Sequence, residues 1–212
     1  AATAATLIAI SRGESLKIVA GNTTGPAIVW VVPTDSPIKS IKDLKGKKVG
    51  FSTPGSVTHI IIQTILKKEG LDKDVQLVKA GGPGDNWAAI KNKIIDAGWH
   101  VGPGVYSLVA KNEARILIHP AQYVTAYQET VIVTTEEIIK KDPDLVRNYL
   151  KARAKAINFL WENPEKAIAI WVEETKLPAD ALRLALKDTP RTYWDTGAPK
   201  PENLRVLIQE TL

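Results

Sequence analysis

The chain has 212 residues, 44% of them apolar and 24% charged, with a formal net charge of +5 and a sequence pI near 9.3. These proportions suit a globular protein, and no window approaches the ~20 uninterrupted apolar residues of a membrane span. The absence of cysteine excludes a disulfide framework, a thiolate metal site and a cysteine nucleophile.

Residues 7–11 read as the end of a helix closed by Gly13. A short strand over 17–20 runs into the polar turn Gly21-Asn22-Thr23-Thr24-Gly25. Residues 28–32 are almost continuously apolar and rich in β-branched side chains, which predicts a strand buried on both faces of a parallel or mixed sheet. Pro33, Pro37 and Gly46 punctuate a loop with one helical turn. A strand follows over 48–51, then a helix over 54–68 with Val57, Ile60, Ile61 and Ile65 on its buried face and Gly70 as its stop. A strand over 75–78 leads to a second glycine-rich turn, Gly81-Gly82-Pro83-Gly84-Asp85-Asn86, and a short helix through Ile90. Further strands are expected over 94–99 and 115–118, with a helix over 102–111 between them. This alternation with short connections is the signature of an α/β layer with a mainly parallel sheet.

Beyond Pro120 one strand is expected over 128–134, and everything from Glu136 onward reads as helix. The pairs Asp142-Pro143 and Asn163-Pro164 are helix starts, a capping residue followed by proline at the first helical position, and Pro178 and Pro201 open two more. Val146, Tyr149, Leu150, Ile157 and Leu160 form the expected buried stripe of the helix from Pro143. The expected organisation is two lobes: residues 1–27 plus 129–212 form a discontinuous lobe with a helical C-terminal part, and 28–128 form an α/β insert with the crossover strands. Two crossing connections make a hinge with a cleft between the lobes, suited to closure around a ligand.

In open α/β sheets ligands sit at the carboxyl ends of strands. Three polar turns fall there: the one holding Asn22 and Thr23, the one from Ser52 to Ser56, and the one from Gly81 to Asn86. The second carries the strongest signal. Thr53 is the expected N-cap, Pro54 the first helical residue, and Gly55 allows close backbone approach. The free N–H groups of Gly55, Ser56 and Val57, the helix dipole and the hydroxyls of Ser52, Thr53 and Ser56 together favour an anion. In the third turn Gly82 and Asp85 are candidate contacts, with Asp85 as the cap; the P-loop pattern and its lysine are absent. Trp99 and His100, just past a strand, are candidate cleft-lining residues, and Asp96 is placed to orient the site or hold a ligand amine. Trp87 reads as core. His59, His100 and His119 lack metal-ligand spacing, no serine sits in a nucleophile elbow, and neither metal nor catalytic residues are expected. The lysine run Lys39, Lys42, Lys45, Lys47 and Lys48 has no interleaved aromatics and reads as a solvated face, so no nucleic-acid partner is expected.

The chain opens on Ala1-Ala2-Thr3-Ala4-Ala5-Thr6 without a signal peptide and contains no methionine. A fragment of a longer polypeptide is expected, or a sequence written without its selenomethionines, with part of the site in the missing front end.

The stretches Ala5-Thr6-Leu7-Ile8-Ala9-Ile10-Ser11-Arg12-Gly13, Ile41-Lys42-Asp43-Leu44-Lys45-Gly46-Lys47-Lys48-Val49-Gly50, Gly81-Gly82, Ile95-Asp96-Ala97-Gly98-Trp99, Tyr127-Gln128-Glu129-Thr130-Val131 and Asn163-Pro164-Glu165-Lys166-Ala167 carry a resemblance. The chain resembles the periplasmic substrate-binding proteins of ABC importers, in the nitrate/sulfonate/taurine-type group that includes pyrimidine-synthase-like members. The resemblance implies the type II periplasmic-binding-protein fold, an α/β fold of two lobes with hinge and interlobe cleft. It implies a small anionic or polar ligand, such as a sulfonate or nitrate, delivered to an ABC permease. It further implies ligand contacts at Ser52, Thr53 and Ser56, a monomer, no cofactor, no enzymatic activity, and a periplasmic or lipid-anchored location. Lys93 stands where the family usually has glycine, and the family's first strand and its ligand loop are absent. Two alternatives stand beside this reading: a pyrimidine-synthase-like enzyme, whose cysteine-rich motif the chain lacks, and the effector domain of a regulator.

Overall fold

The structure is a computed structural model that describes residues 1–25, 27–124, 127–194 and 197–211, the side chains of 206, 207 and 209–211 excepted. Its contacts divide the chain into two compact units. Unit 1 comprises 1–26, 125–174 and 189–212, and unit 2 comprises 27–124 and 175–188.

Unit 1 is built on helix α1 (Thr3–Ser11) and the antiparallel pair β1 (Leu16–Thr24) and β7 (Gln128–Thr135). Gly13 closes α1 with a φ of +93°, a conformation open to glycine at little cost. The register of β1 on β7 shifts three times, between Ile18 and Ala20, Gly21 and Thr23, and Thr23 and Thr24. Those irregularities let the polar stretch Asn22-Thr23-Thr24 continue as strand, where the sequence reading placed a turn. Helices α5 (Glu136–Lys141), α6 (Pro143–Glu162), α7 (Pro164–Thr175) and α9 (Pro201–Thr211) complete the unit. The Asp142 carboxylate accepts from Leu145 N–H at 2.9 Å, so the expected cap-then-proline device does open α6. The expected apolar stripe of α6 is only half-buried along Val146, Leu150, Ile157 and Leu160, and Tyr149 is 56% exposed.

Unit 2 places β2 (Ile28–Pro33) between β5 (Gly98–Val101) and β6 (Ala114–Ile118). β2 is buried on both faces, as its composition predicts, yet it runs antiparallel to both neighbours. β3 (Lys48–Phe51) and β4 (Gln76–Lys79) are a parallel pair, and a parallel bridge from Val49 to Ala97 joins them to the segment entering β5. The sheet is therefore mixed. Helices α2 (Val57–Lys68), α3 (Pro83–Lys91) and α4 (Gly104–Ala110) follow β3, β4 and β5. Trp30, Val32, Leu44, Val49, Ile62 and Ile65 are fully buried in the core.

Helix α8 (Ala179–Asp188) belongs to unit 2 although the chain returns to it from unit 1. Its Ala181, Leu182, Ala185 and Leu186 are buried, at the i, i+1, i+4, i+5 spacing of one helical face, and it packs on α4. On sequence grounds the whole of 129–212 is expected in the other lobe, and α8 departs from that expectation.

Strand β5 begins at Gly98, later than expected. Ile94 is 56% exposed, and Asp96 precedes the strand instead of ending it. The Asp96 carboxylate accepts from Lys48 N–H at 2.8 Å, at the amino end of β3. Asp96 is thus at the opposite end of β3 from the turn it was expected to serve.

Candidate functional site

Strand β3 delivers the polar turn, and its own residues explain how it is held. Val49 and Phe51 are buried, while Gly50 carries no side chain because a Cβ there would meet Asn86 Oδ1 at 2.1 Å. The Gly50 carbonyl accepts from the buried Trp30 indole N–H at 2.9 Å. With β3 pinned this way, Ser52 emerges at its carboxyl end.

Gly55 adopts a φ of +75°, which breaks the continuity needed for Pro54 to begin a helix. Helix α2 therefore starts at Val57, and its N-cap is Ser56, not Thr53. Ser56 Oγ accepts from His59 N–H at 3.3 Å, a cap that typically contributes ~1 kcal/mol. Three hydroxyls then close a ring: Ser52 to Ser56 at 2.8 Å, Ser52 to Thr58 at 2.8 Å, and Ser56 to Thr58 at 2.9 Å. Thr58 Oγ1 also accepts from Ser52 N–H at 2.9 Å, so the ring ties the end of β3 to the first turn of α2.

The expected free N–H groups are redistributed. Gly55 N–H donates to His59 Nδ1 at 3.1 Å, and Ser56 N–H donates to the Thr53 carbonyl at 3.1 Å. The N–H groups of Val57 and Thr58 have no partner among the described residues. Both lie where the helix dipole favours negative charge. Thr53 and Gly55 are exposed on the turn. His59 stacks on Phe51 with ring centroids 4.3 Å apart, and its Nδ1 acceptor role leaves Nε2 as the protonated nitrogen of the neutral ring.

Thr58 carries no motif that marks it in the sequence, and His59 is expected there only to lack metal-ligand spacing. The expected apolar face had Val57 on it, but Val57 is 37% exposed and Thr58 takes the buried position, with Ile61, Ile62, Ile65 and Leu66. A hydroxyl two residues past the N-cap, at the spacing of that buried face, was the available signal.

The second turn lies beside the first. Ala80 N–H donates to the Phe51 carbonyl at 2.8 Å and Gly81 N–H to the Ser52 carbonyl at 3.3 Å. Gly82, not Asp85, is the N-cap of α3. Asp85 sits in the first helical turn, and its carboxylate accepts from Gly82 N–H at 2.8 Å. A negative charge already occupies this helix start, so a ligand anion would compete with it. Asn86 is fully buried; its amide donates to the carbonyls of Gly81 and Gly82 at 3.0 and 3.1 Å and its Oδ1 accepts from Trp99 N–H at 3.4 Å. The Trp99 indole N–H donates to the Gly81 carbonyl at 3.0 Å. Trp99 and Asn86 thus brace the turn.

His100 Nδ1 accepts from Val101 N–H at 2.9 Å, a contact local to β5. Burial pushes the His100 pKa below the usual histidine value, which favours a neutral ring.

Asn22 and Thr23 belong to a separate cluster within unit 1. Asn22 donates to Thr130 Oγ1 at 2.9 Å, and the Arg153 guanidinium donates to Asn22 Oδ1 at 3.0 Å and to its carbonyl at 2.6 Å. Thr23 and Tyr193 both donate to Glu129, at 3.2 and 3.0 Å. Burial, then the charge of Glu129, holds the Tyr193 hydroxyl well above its usual pKa and keeps it a donor. Among the described residues no group of three or more His, Asp or Glu side chains is placed to hold a metal ion.

The model of the NMT1/THI5-like family matches residues 1–167. The chain belongs to that family. A Haemophilus influenzae protein provisionally named for thiamine biosynthesis is 30% identical over 189 residues, covering 85% of this chain and 58% of its own. An Escherichia coli protein provisionally named as an aliphatic sulfonates-binding protein is 28% identical, covering 87% of this chain and 56% of its own. The chain thus spans a little more than half the length of the curated relatives it matches. Among solved structures, the periplasmic aliphatic sulphonate binding protein SsuA from Escherichia coli superposes with a TM-score of 0.80 at 23% identity, covering 99% of this chain and 67% of that one. At that identity the likeness establishes the periplasmic-binding-protein fold. No helix among the described residues is long and apolar enough to cross a membrane.

Proposed function

We propose that the chain is the larger part of an extracytoplasmic solute-binding protein that captures a small oxyanion, a sulfonate in the first instance, and delivers it to an ABC permease. The observation that carries the reading is the turn between β3 and α2. It places the Ser56 hydroxyl, which accepts from Ser52 Oγ–H, beside the backbone N–H groups of Val57 and Thr58, which have no partner among the described residues, at a helix start. Donors preorganised in this way bind a negatively charged oxygen without paying to reorient at the moment of capture. Family membership and the sulfonate-binding names carried by relatives support sulfonate as the ligand class and a periplasmic location. The same names support a carrier over a catalyst. Thr53 and Gly55 form the exposed lip of the turn, and Gly82 and Trp99 shape the turn beside it.

Titration calorimetry against ethanesulfonate, taurine, nitrate and acetate tests the reading. Saturable binding of a sulfonate, weakened about tenfold or more by Ser56→Ala, is the expected result, since a hydrogen bond to a charged group is at stake. Binding that ignores Ser56, or no binding of any of the four, refutes it.

A further inference from the structure

We infer that unit 2 docks on anionic phospholipid bilayers by one pole, the end of its sheet where β2 finishes and β3, β4, β5 and β6 begin. Four connections meet there: 34–47 between β2 and β3, 69–75 between α2 and β4, 92–97 between α3 and β5, and 111–113 between α4 and β6. Backbone bonds tie them together. Gly46 N–H donates to the Asp74 carbonyl at 2.8 Å, Asp96 N–H to the Lys48 carbonyl at 2.8 Å, and Thr34 N–H to the Glu113 carbonyl at 3.1 Å. The lysine run from Lys39 to Lys48 is joined at this pole by Lys67, Lys68, Lys73, Lys91, Lys93 and Lys111. With the half-buried Arg115 the pole holds 12 cationic side chains against 7 carboxylates, whereas the rest of unit 2 holds 4 against 3. Nine of the eleven lysine ammonium groups have no partner among the described residues. Lys45 lies 3.4 Å from Asp74, and Lys68 donates to the Tyr123 carbonyl at 2.6 Å. Asp43 and Asp96 direct their carboxylates at backbone, to the N–H groups of Ser40 and Lys48, both at 2.8 Å.

The chemistry of the pole selects the partner. Every exposed cation on it is lysine, a point charge suited to a diffuse negative field, whereas bidentate recognition of carboxylates on an acidic protein favours arginine. The charges are spread over four connections, and a polybasic surface gains attraction to anionic headgroups with each lysine brought near them. Ile94, next to Lys93, is 56% exposed and is the most exposed large apolar side chain of unit 2. An apolar tip among lysines suits the boundary between headgroups and acyl chains, where apolar burial adds to the electrostatic attraction. Lys93 carries a further sign. Each connection turns through a left-handed residue: Gly46 at φ +73°, Gly70 at +69°, Lys93 at +57° and Asn112 at +56°. Glycine adopts this conformation freely and asparagine tolerates it, whereas lysine does so under strain. A lysine held where glycine would relax the backbone points to a role for its charge. Ser52 emerges at the other end of β3, so a molecule held by this pole keeps the turn in water.

Co-sedimentation of the whole chain with vesicles tests the proposal, using about 30% phosphatidylglycerol in phosphatidylcholine against phosphatidylcholine alone. Binding to the anionic vesicles only, falling several-fold between about 20 and 150 mM salt, is the expected result. Lys91→Glu combined with Lys93→Glu is expected to weaken it about tenfold or more. Lys151→Glu combined with Lys155→Glu makes the same change of net charge on α6 of unit 1 and is expected to alter binding by less than about twofold. Lys93→Gly is expected to raise the urea midpoint and yet to weaken vesicle binding, which separates charge from fold stability. Ile94→Ser is expected to weaken binding at both salt concentrations, because apolar burial is not screened. All these side chains are exposed, so none of the variants removes a core contact. Wild-type protein that ignores anionic vesicles, or equal losses from the two lysine pairs, overturns the proposal. Binding to soluble polyglutamate in place of vesicles also overturns it and assigns the pole to an acidic protein. An Ile94→Ser variant that binds as tightly as the wild type overturns the contact with the bilayer interior.

Discussion

Gly50 shows how one residue without a side chain sets the position of a site. An added Cβ would lie 2.1 Å from Asn86 Oδ1 and 2.6 Å from Ile95 Cδ1. Asn86 cannot withdraw cheaply, because it is fully buried and its amide holds the carbonyls of Gly81 and Gly82. Gly50→Ala is therefore expected to destabilise the protein by about 3 kcal/mol in urea unfolding followed by tryptophan fluorescence, an overpacking effect at the upper end of its usual range. Gly84→Ala is the matched control. Nothing lies within 4 Å of a Cβ at Gly84, in the first turn of α3, and the change is expected to be neutral or stabilising by about 0.5 kcal/mol. Equal losses at both positions would show that steric contact with Asn86 is not what keeps Gly50 a glycine. At this same scale the serines of the turn were legible from residue type alone. Thr58 was not, because its place comes from a half-buried ring of contacts with Ser52 and Ser56 and not from any motif.

At the scale of elements, the starts and stops that rest on local chemistry were legible. Asp142-Pro143 opens α6, Gly13 closes α1, and the strand Lys48–Phe51 is bounded as its composition predicts. Helix α2 starts three residues later than Thr53-Pro54 suggests, because that pair is a valid helix opening and only the positive φ of Gly55 cancels it. The allegiance of α8 was also hidden. Its apolar face of Ala181, Leu182, Ala185 and Leu186 states that it must be buried, but not against what. Leu182 is fully buried, so Leu182→Ala is expected to cost about 3 kcal/mol by lost transfer and cavity formation, again read in urea. A cost below about 1 kcal/mol would remove α8 from the core of unit 2.

Charge separates the two units at the scale of the whole molecule. Unit 2 carries 16 Lys and Arg against 10 Asp and Glu, while unit 1 carries 12 against 13. The basic balance of the chain is thus a property of unit 2, which also holds the hydroxyl-lined turn. A positive field raises the encounter rate of an anion and is screened by salt over a Debye length of about 8 Å at physiological ionic strength. Stopped-flow fluorescence is expected to show the association rate constant for ethanesulfonate falling several-fold between about 10 and 150 mM salt, with the dissociation rate nearly level. An association rate indifferent to salt would mean that the excess charge of unit 2 does not act at the site.

The sequence by itself determined the alternation of strands and helices, the two-sided burial of β2 and the chemical character of the turn after β3. These follow from side-chain periodicity, backbone preference and residue type, all of which act over a few neighbouring residues. Tertiary structure alone decided that β2 runs antiparallel to its neighbours, that Asp96 stands at the far end of β3, that α8 rejoins unit 2, and that Thr58 completes a ring with Ser52 and Ser56. The strand directions, the place of Asp96 and the docking of α8 depend on groups distant in the chain. The ring is local, but it forms only once β3 is pinned by Trp30 and Asn86 and α2 is packed on its buried face. Local preference limits the conformations each segment can take, and long-range packing chooses among them.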